Sequence, residues 1–239
     1  MIHPNIIKII CHDIGKHLGC YGVKSVSTST IDSLAKEGIL FNNSFATSPG
    51  CSPSRAAIAT GRYPHNTGVL GLAHAHFGWQ LDKNIPHIAK YLSKNGYKTM
   101  LFGLQHVTYQ VKSLGFNSIF PERPADEVLK NIRKKINEEL SNKPFYAEIN
   151  FFEPHRPFNF GGVKSFKSKG VFIPKYIPTN AHSKIEFAAM QGAIKKMDES
   201  ILQLLNLLKK KNFYENTIII FTTDHGIPFP RAKGTLYDS

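Results

Sequence analysis

Thr217-Ile218-Ile219-Ile220-Phe221-Thr222, running on through Thr223 to Asp224-His225, is the stretch that decides the fold. A run of β-branched and aromatic residues with no polar alternation predicts a strand buried on both faces, as in a parallel sheet. An acid and an imidazole follow at once. The same order recurs three times upstream. Ile6 to Cys11 is followed by His12 and Asp13, and Tyr97 to Phe102 by Gly103 and His106. Phe145 to Phe152 leads into Glu153, Pro154, His155 and Arg156. Helical segments separate these strands. Ser29 to Glu37 has Thr28 or Ser29 as its cap and Gly38 as its stop, and Pro53 to Thr60 has Ser52 as cap and Gly61 as stop. Ile85 to Lys94 halts before Gly96, Pro124 to Leu140 carries Val128, Leu129, Ile132 and Ile136 at helical spacing, and Lys184 to Lys211 reads as one long helix. Residues 156 to 182, rich in Gly, Pro, Lys and Phe, read as a surface loop. Strands alternating with helices predict an α/β domain, a mostly parallel sheet flanked by helices on both faces through right-handed crossovers. Such sheets bind ligands beyond the carboxyl ends of their strands, which is where the acids and imidazoles fall.

The chain of 239 residues is long enough for one sizeable core, and one domain, residues 1–239, is expected. It carries 30 Lys+Arg against 17 Asp+Glu, a net charge of +13, which fits a polyanionic partner or a solubilising Lys-rich surface. No apolar run approaches the roughly 20 residues of a membrane span, and Met1-Ile2-His3-Pro4 does not open a signal peptide. A cytoplasmic setting is expected of the chain as it stands, or a periplasmic or secreted one if an export signal has been removed. Three cysteines, Cys11, Cys20 and Cys51, do not make a disulfide framework. Nucleic-acid binding has only net charge behind it, and no phosphate-binding loop, paired CxxC or HExxH motif is present.

Asp13, Asp224 and His225 form a candidate cation site, since converging carboxylates repel unless a divalent ion or a proton intervenes. Oxygen donors favour calcium or magnesium; the imidazole favours manganese or zinc. Cys51-Ser52-Pro53-Ser54-Arg55 places a cysteine, expected to be exposed, just before a helix N-terminus, with Arg55 one turn further in. By itself that pattern predicts a nucleophilic thiol of lowered pKa beside an oxyanion site, the alternative being an inert buried cysteine.

That stretch, continued by Thr60-Gly61-Arg62, resembles the signature of the formylglycine-dependent sulfatases, C-x-P-S-R followed by T-G-R, and the match is unbroken from Cys51 to Gly61. Pro4-Asn5-Ile6, Cys20-Tyr21-Gly22, the segment from Ile31 to Phe41, and Tyr63-Pro64-His65 agree with the family as well, so the likeness runs through most of the chain. The resemblance implies an alkaline phosphatase-like fold, conversion of Cys51 to formylglycine by a maturation enzyme, and a calcium ion held by Asp13, Asp224, His225 and the converted Cys51, with His12 beside them. It implies that Arg55 positions the hydrated aldehyde, that His106 stands near it, that His155 serves the leaving group, and that Lys233 neutralises sulfate charge. The conversion has a chemical reason. A thiol that attacked a sulfate ester would be trapped as a thiosulfate, whereas a hydrated aldehyde can expel sulfate with its second hydroxyl. Asp224-His225-Gly226-Ile227-Pro228-Phe229-Pro230 with Leu236-Tyr237, and Pro154-His155-Arg156, resemble the heparan N-sulfatase (sulfamidase) branch. This implies an N-sulfated glucosamine or related glycosaminoglycan sulfate as substrate, with Arg156 and Lys164 to Lys169 as substrate contacts or a solvated basic loop.

Three departures stand out. His12-Asp13 replaces the two adjacent aspartates most members carry, and one carboxylate fewer lowers calcium affinity or changes the preferred metal. Gly103-Leu104-Gln105-His106 lacks the family's lysine, and His225 replaces the commoner asparagine. A histidine there also occurs in phosphonate monoester and phosphodiester hydrolases of the same superfamily, which is the alternative reading. A third is a truncated, non-catalytic binder of polyanions, because the family's smaller C-terminal subdomain would follow Asp238-Ser239.

Overall fold

A computed structural model describes residues 3–139, 143–235 and 237. The helix end expected at Leu140, and Leu236 of the last motif, lie outside them.

Five strands form one parallel sheet: β1 (Asn5–Cys11), β2 (Lys98–Gly103), β3 (Ser118–Phe120), β4 (Phe145–Asn150) and β5 (Thr217–Thr223), in the order β3-β2-β4-β1-β5. β1 sits between β4 and β5, with Ile9 paired to Ile149 and to Phe221. β3, three residues long at the edge, has too little apolar run to be read from sequence.

The helices are α1 (Ser29–Glu37), α2 (Cys51–Thr60), α3 (Ile88–Lys94), α4 (Ala125–Glu139) and α5 (Ala181–Lys210). α1, α4 and α5 cover one face, where Ile7, Ile9, Met100, Phe102, Ala147 and Ile149 meet Leu129 and Ile132 of α4 and Ile194 and Met197 of α5. α2 and α3 cover the other, through Ala56, Ala89, Leu101 and Tyr146. The apolar spacing of α4 is borne out, with Val128, Leu129, Ile132 and Ile136 all buried. α5 begins earlier than its apolar pattern suggests because Asn180 and Ser183 close a reciprocal capping box.

Several local expectations are corrected. Among the described residues β5 is an edge strand, not one buried on both faces: Ile218 is 50 % exposed and Ile220 44 %. α2 starts at Cys51, so Ser52 lies inside its first turn, and its hydroxyl accepts from the Ala73 amide instead of capping. Thr28 makes no side-chain cap on α1. The Asp198 carboxylate of α5 accepts from the amides of Thr30 and Ile31 instead, at 3.1 and 2.9 Å. α3 begins at Ile88, after His87 Nδ1 accepts the Ala89 amide. Among the described residues, no helix is long and apolar enough to cross a membrane.

Candidate active site

The residues that follow β1, β4 and β5 converge as the topology requires. Asp13 and Asp224, some 211 positions apart, are joined directly: the Asp13 amide donates to Asp224 Oδ1 at 3.0 Å. Both are fully buried. Asp13 adopts a left-handed backbone (φ 52°), which turns its carboxylate back over the strand end. There Lys233 Nζ lies 2.9 and 2.8 Å from its two oxygens, and His225 Nε2 3.1 Å from Oδ1.

Asp224 Oδ2 is held by Arg55 Nε and by His12 Nδ1, each at 3.0 Å. Burial pushes this carboxyl up, but His12 and Arg55 beside it more than offset that and hold it well below the usual carboxylate range. Arg55 Nη1 donates to Asn150 Oδ1 at 2.7 Å and to the Leu104 carbonyl at 3.3 Å, while Nη2 is buried without a hydrogen-bond partner. The Ser54 hydroxyl donates to the Asp224 carbonyl, tying the first turn of α2 to the end of β5.

Cys51 opens α2 with Sγ 3.3 Å from His225 Nε2. It is 3 % exposed, which corrects the expectation of an exposed thiol: the loop after β5, carrying His225 and Lys233, closes over it. Burial, and then the Asp224 charge, push its pKa up to about 12. The thiol is therefore the reverse of the acidic nucleophile its helix N-terminus suggested, because loss of solvent outweighs the helix dipole here.

Imidazoles roof the site. His12 is fully buried, with His106 and His155 edge-on at ring-centre distances of 5.4 and 5.2 Å. Burial, then Arg55, lower His12 to about 4. His106, also left-handed (φ 61°), meets His74 Nδ1 to Nδ1 at 3.1 Å. Burial, with His12 and Arg55 next, brings its pKa to about 2. Gly103 permits this turn, since its φ is +82° and a Cβ there would stand 2.0 Å from the Asn150 carbonyl. His155 is half-buried at the rim, with Nε2 3.5 Å from Lys233 Nζ and 3.8 Å from Asp13 Oδ2. A nitrogen of His12, an oxygen from each of Asp13 and Asp224, and Cys51 Sγ lie within 4.8 Å of one another, as do donors of His12, Cys51 and His155.

Two predicted contributors stand apart. Glu153 turns away, Oε1 accepting from the Ala125 amide at the start of α4. Arg156 donates to Glu186 and to the Pro228 carbonyl and lies over the rings of Phe158 and Phe229. Lys164, Lys167 and Lys169 are exposed. Leu104 stands at the position of the missing lysine, and next to it Gln105 staples its own loop, bonding Val107 and Thr108. His74 and Asn150 were not foreseen. The only sequence signal for His74 is the His74-Ala75-His76 pair in a loop; Asn150 is one apolar-strand residue away from looking structural.

A family model for sulfatases matches residues 4–239. The chain is 27 % identical over 265 residues to human N-sulphoglucosamine sulphohydrolase, covering 98 % of this chain and 52 % of that protein. It is 30 % identical over 241 residues to an ulvan-active sulfatase of Formosa agariphila, covering 94 % of this chain and 45 % of that one. The chain thus spans about half the length of the curated relatives it matches. The phosphonate monoester hydrolase of Agrobacterium radiobacter shares the fold, with a TM-score of 0.72 at 20 % identity over 94 % of this chain and 63 % of that one.

Proposed function

The chain belongs to the sulfatase family, and on that premise we propose that it is a hydrolase of sulfate esters or sulfamates on sulfated glycans, N-sulfoglucosamine or a related glycosaminoglycan sulfate among them. The observation that carries this reading is the convergence of Asp13, Asp224 and His225 on the side chain of residue 51, with Arg55 and Lys233 held against the two carboxylates. The name of the human relative and the net charge of +13 support a sulfated-glycan substrate.

A thiol with a pKa near 12 is no nucleophile at neutral pH, which favours oxidation of Cys51 to formylglycine by a maturation enzyme. So converted, residue 51 would supply a hydrated aldehyde whose hydroxyl attacks sulfur. Arg55 is held on one side by Asp224 and on the other by Asn150, leaving Nη2 to orient an oxygen at residue 51. Lys233, kept charged by Asp13, neutralises sulfate oxygen charge. His106, kept neutral and packed against His12, is the histidine that the resemblance sets near residue 51, and His155, at the rim next to Lys233, serves the leaving group. The two buried carboxylates with imidazoles alongside suit a divalent cation, held by Asp13, Asp224, His225 and residue 51 with His12; calcium is the ion the resemblance implies. When bound it would polarise the sulfate and acidify the nucleophile.

Co-expression with a formylglycine-generating enzyme should yield sulfate release from aryl sulfates or sulfamates. Mass spectrometry of the tryptic peptide carrying Cys51 should show the aldehyde, and Cys51→Ala should abolish turnover; an unchanged rate in that variant overturns the mechanism. His225 favours a second reading, a phosphonate monoester or phosphodiester hydrolase. A higher kcat/KM for aryl phosphodiesters than for aryl sulfates would select it. Glycan binding without turnover by the correctly modified chain would select a non-catalytic binder.

A further inference from the structure

We propose that His12 is a metal ligand, and that it makes this centre prefer first-row transition divalents of the manganese, cobalt or zinc class over calcium. The proposal rests on the reading of the site as a divalent-cation centre and assigns the class of ion.

His12 follows the last residue of β1, is 0 % exposed, and has no hydrogen-bond partner at either ring nitrogen. Its Nδ1 lies 3.0 Å from Asp224 Oδ2, and one of its nitrogens stands within 4.8 Å of an oxygen of Asp13, an oxygen of Asp224 and Cys51 Sγ. A neutral imidazole keeps one lone pair for a metal, and no hydrogen bond of the protein uses it here. Filler is the plain alternative, a ring packed against His106, His155 and Phe152. A phenylalanine would pack as well there and would bury no unpaired nitrogen.

The charge around the site points the same way. Calcium takes six to eight oxygen ligands and draws its affinity from carboxylates. Two carboxylates reach this centre, and each already faces a fixed cation: Asp224 meets Arg55 at 3.0 Å, and Asp13 meets Lys233 at 2.8 Å. His225 adds a second imidazole, its Nε2 3.1 Å from Asp13 Oδ1. With the carboxylate charge largely balanced, dative bonding from imidazole is what His12 adds to the site, and d-block ions use it where calcium does not.

The test strips the full chain with a chelator and titrates it separately with Mn²⁺, Co²⁺, Zn²⁺ and Ca²⁺ by calorimetry. The readout is the ratio of Co²⁺ to Ca²⁺ affinity in wild type and in His12→Asp, since zinc-like ions bind many sites well and an absolute affinity decides little. The ratio should fall at least tenfold in His12→Asp, and the visible bands of bound Co²⁺ should shift as a nitrogen leaves. His12→Gln, neutral and of similar size, should lose Co²⁺ without gaining Ca²⁺, and circular dichroism checks that both variants are folded. An unchanged ratio in both variants overturns the proposal, as does wild-type protein that binds Ca²⁺ as tightly as Co²⁺. So does a ratio that collapses in Cys51→Ala, because the preference would then belong to the thiol. Sulfate release, assayed in parallel, separates the two readings. A transition-metal preference with no sulfate release sinks the hydrolase reading alone, and release best supported by Ca²⁺ sinks this one alone.

Discussion

Arg55 sits at the head of a line of buried polar side chains that passes under the sheet. Its Nη1 donates to Asn150 Oδ1, Asn150 Nδ2 donates to Glu148 Oε1 at 3.3 Å, and Glu148 Oε2 meets Lys8 Nζ at 2.9 Å and the Tyr146 hydroxyl at 2.7 Å. Asn150 is fully buried, and its amide can satisfy Arg55 and Glu148 together only in the orientation seen. It therefore acts as a positioning residue for the guanidinium. Asn150→Ala should lower kcat about 10- to 100-fold with little change in KM, as losses behind a directly acting group do. Steady-state kinetics on an aryl sulfate would check this, and a change confined to KM would show that Arg55 does not depend on Asn150.

At the scale of elements, α1 depends on a residue far away in sequence. Its first amides are satisfied by Asp198 from α5, so Asp198→Ala leaves two buried donors unpaired. Urea unfolding should show a loss of about 1–3 kcal/mol. β5 illustrates the opposite case. Its outer face carries Ile218 and Ile220 half-exposed, so Ile220→Thr should change stability by no more than about 0.5 kcal/mol. Ile194→Ala, in the fully buried face of α5, should cost roughly 2–5 kcal/mol. Equal losses in the two would contradict the edge position of β5.

For the whole molecule, the buried imidazoles set the acid limit. His17 and His87 are lowered by burial from 6.5 to about 4, Glu148 opposing the shift at His87. The unfolded chain protonates these rings near pH 6.5 while the folded one does not until about pH 4. Over that window the unfolded state binds more protons, so stability falls as pH drops, on the order of 1–2 kcal/mol for each ring by pH 5. Glu148, raised by burial but brought to about 2 by Lys8 and His87, adds stability that is full above its ordinary pKa of 4.5 and is lost as pH falls from there to about 2, so it leaves the difference between pH 7 and pH 5 almost unchanged. Thermal melts at pH 7 and pH 5 should differ by roughly 5–10 °C, the acid sample melting lower; equal melting points would show the rings to be solvated.

The strand runs Ile6 to Cys11, Tyr97 to Phe102, Phe145 to Phe152 and Thr217 to Thr222, within two residues of the observed ends, and the helical spacing of α4 and α5 were legible in sequence because period and turn chemistry are local properties. So was the motif from Cys51 to Arg62. The topology that those runs imply was enough to foresee Asp13 and Asp224 meeting at one sheet end. Burial was not legible. Whether Cys51 is exposed, whether Ile220 is covered, and which carboxylate caps α1 depend on chain more than 150 positions away. Only the tertiary structure decided these, because desolvation and hydrogen-bond pairing belong to neighbours in space. Packing alone turned an expected acidic thiol into one with a pKa near 12, and buried both ring nitrogens of His12 without a hydrogen-bond partner.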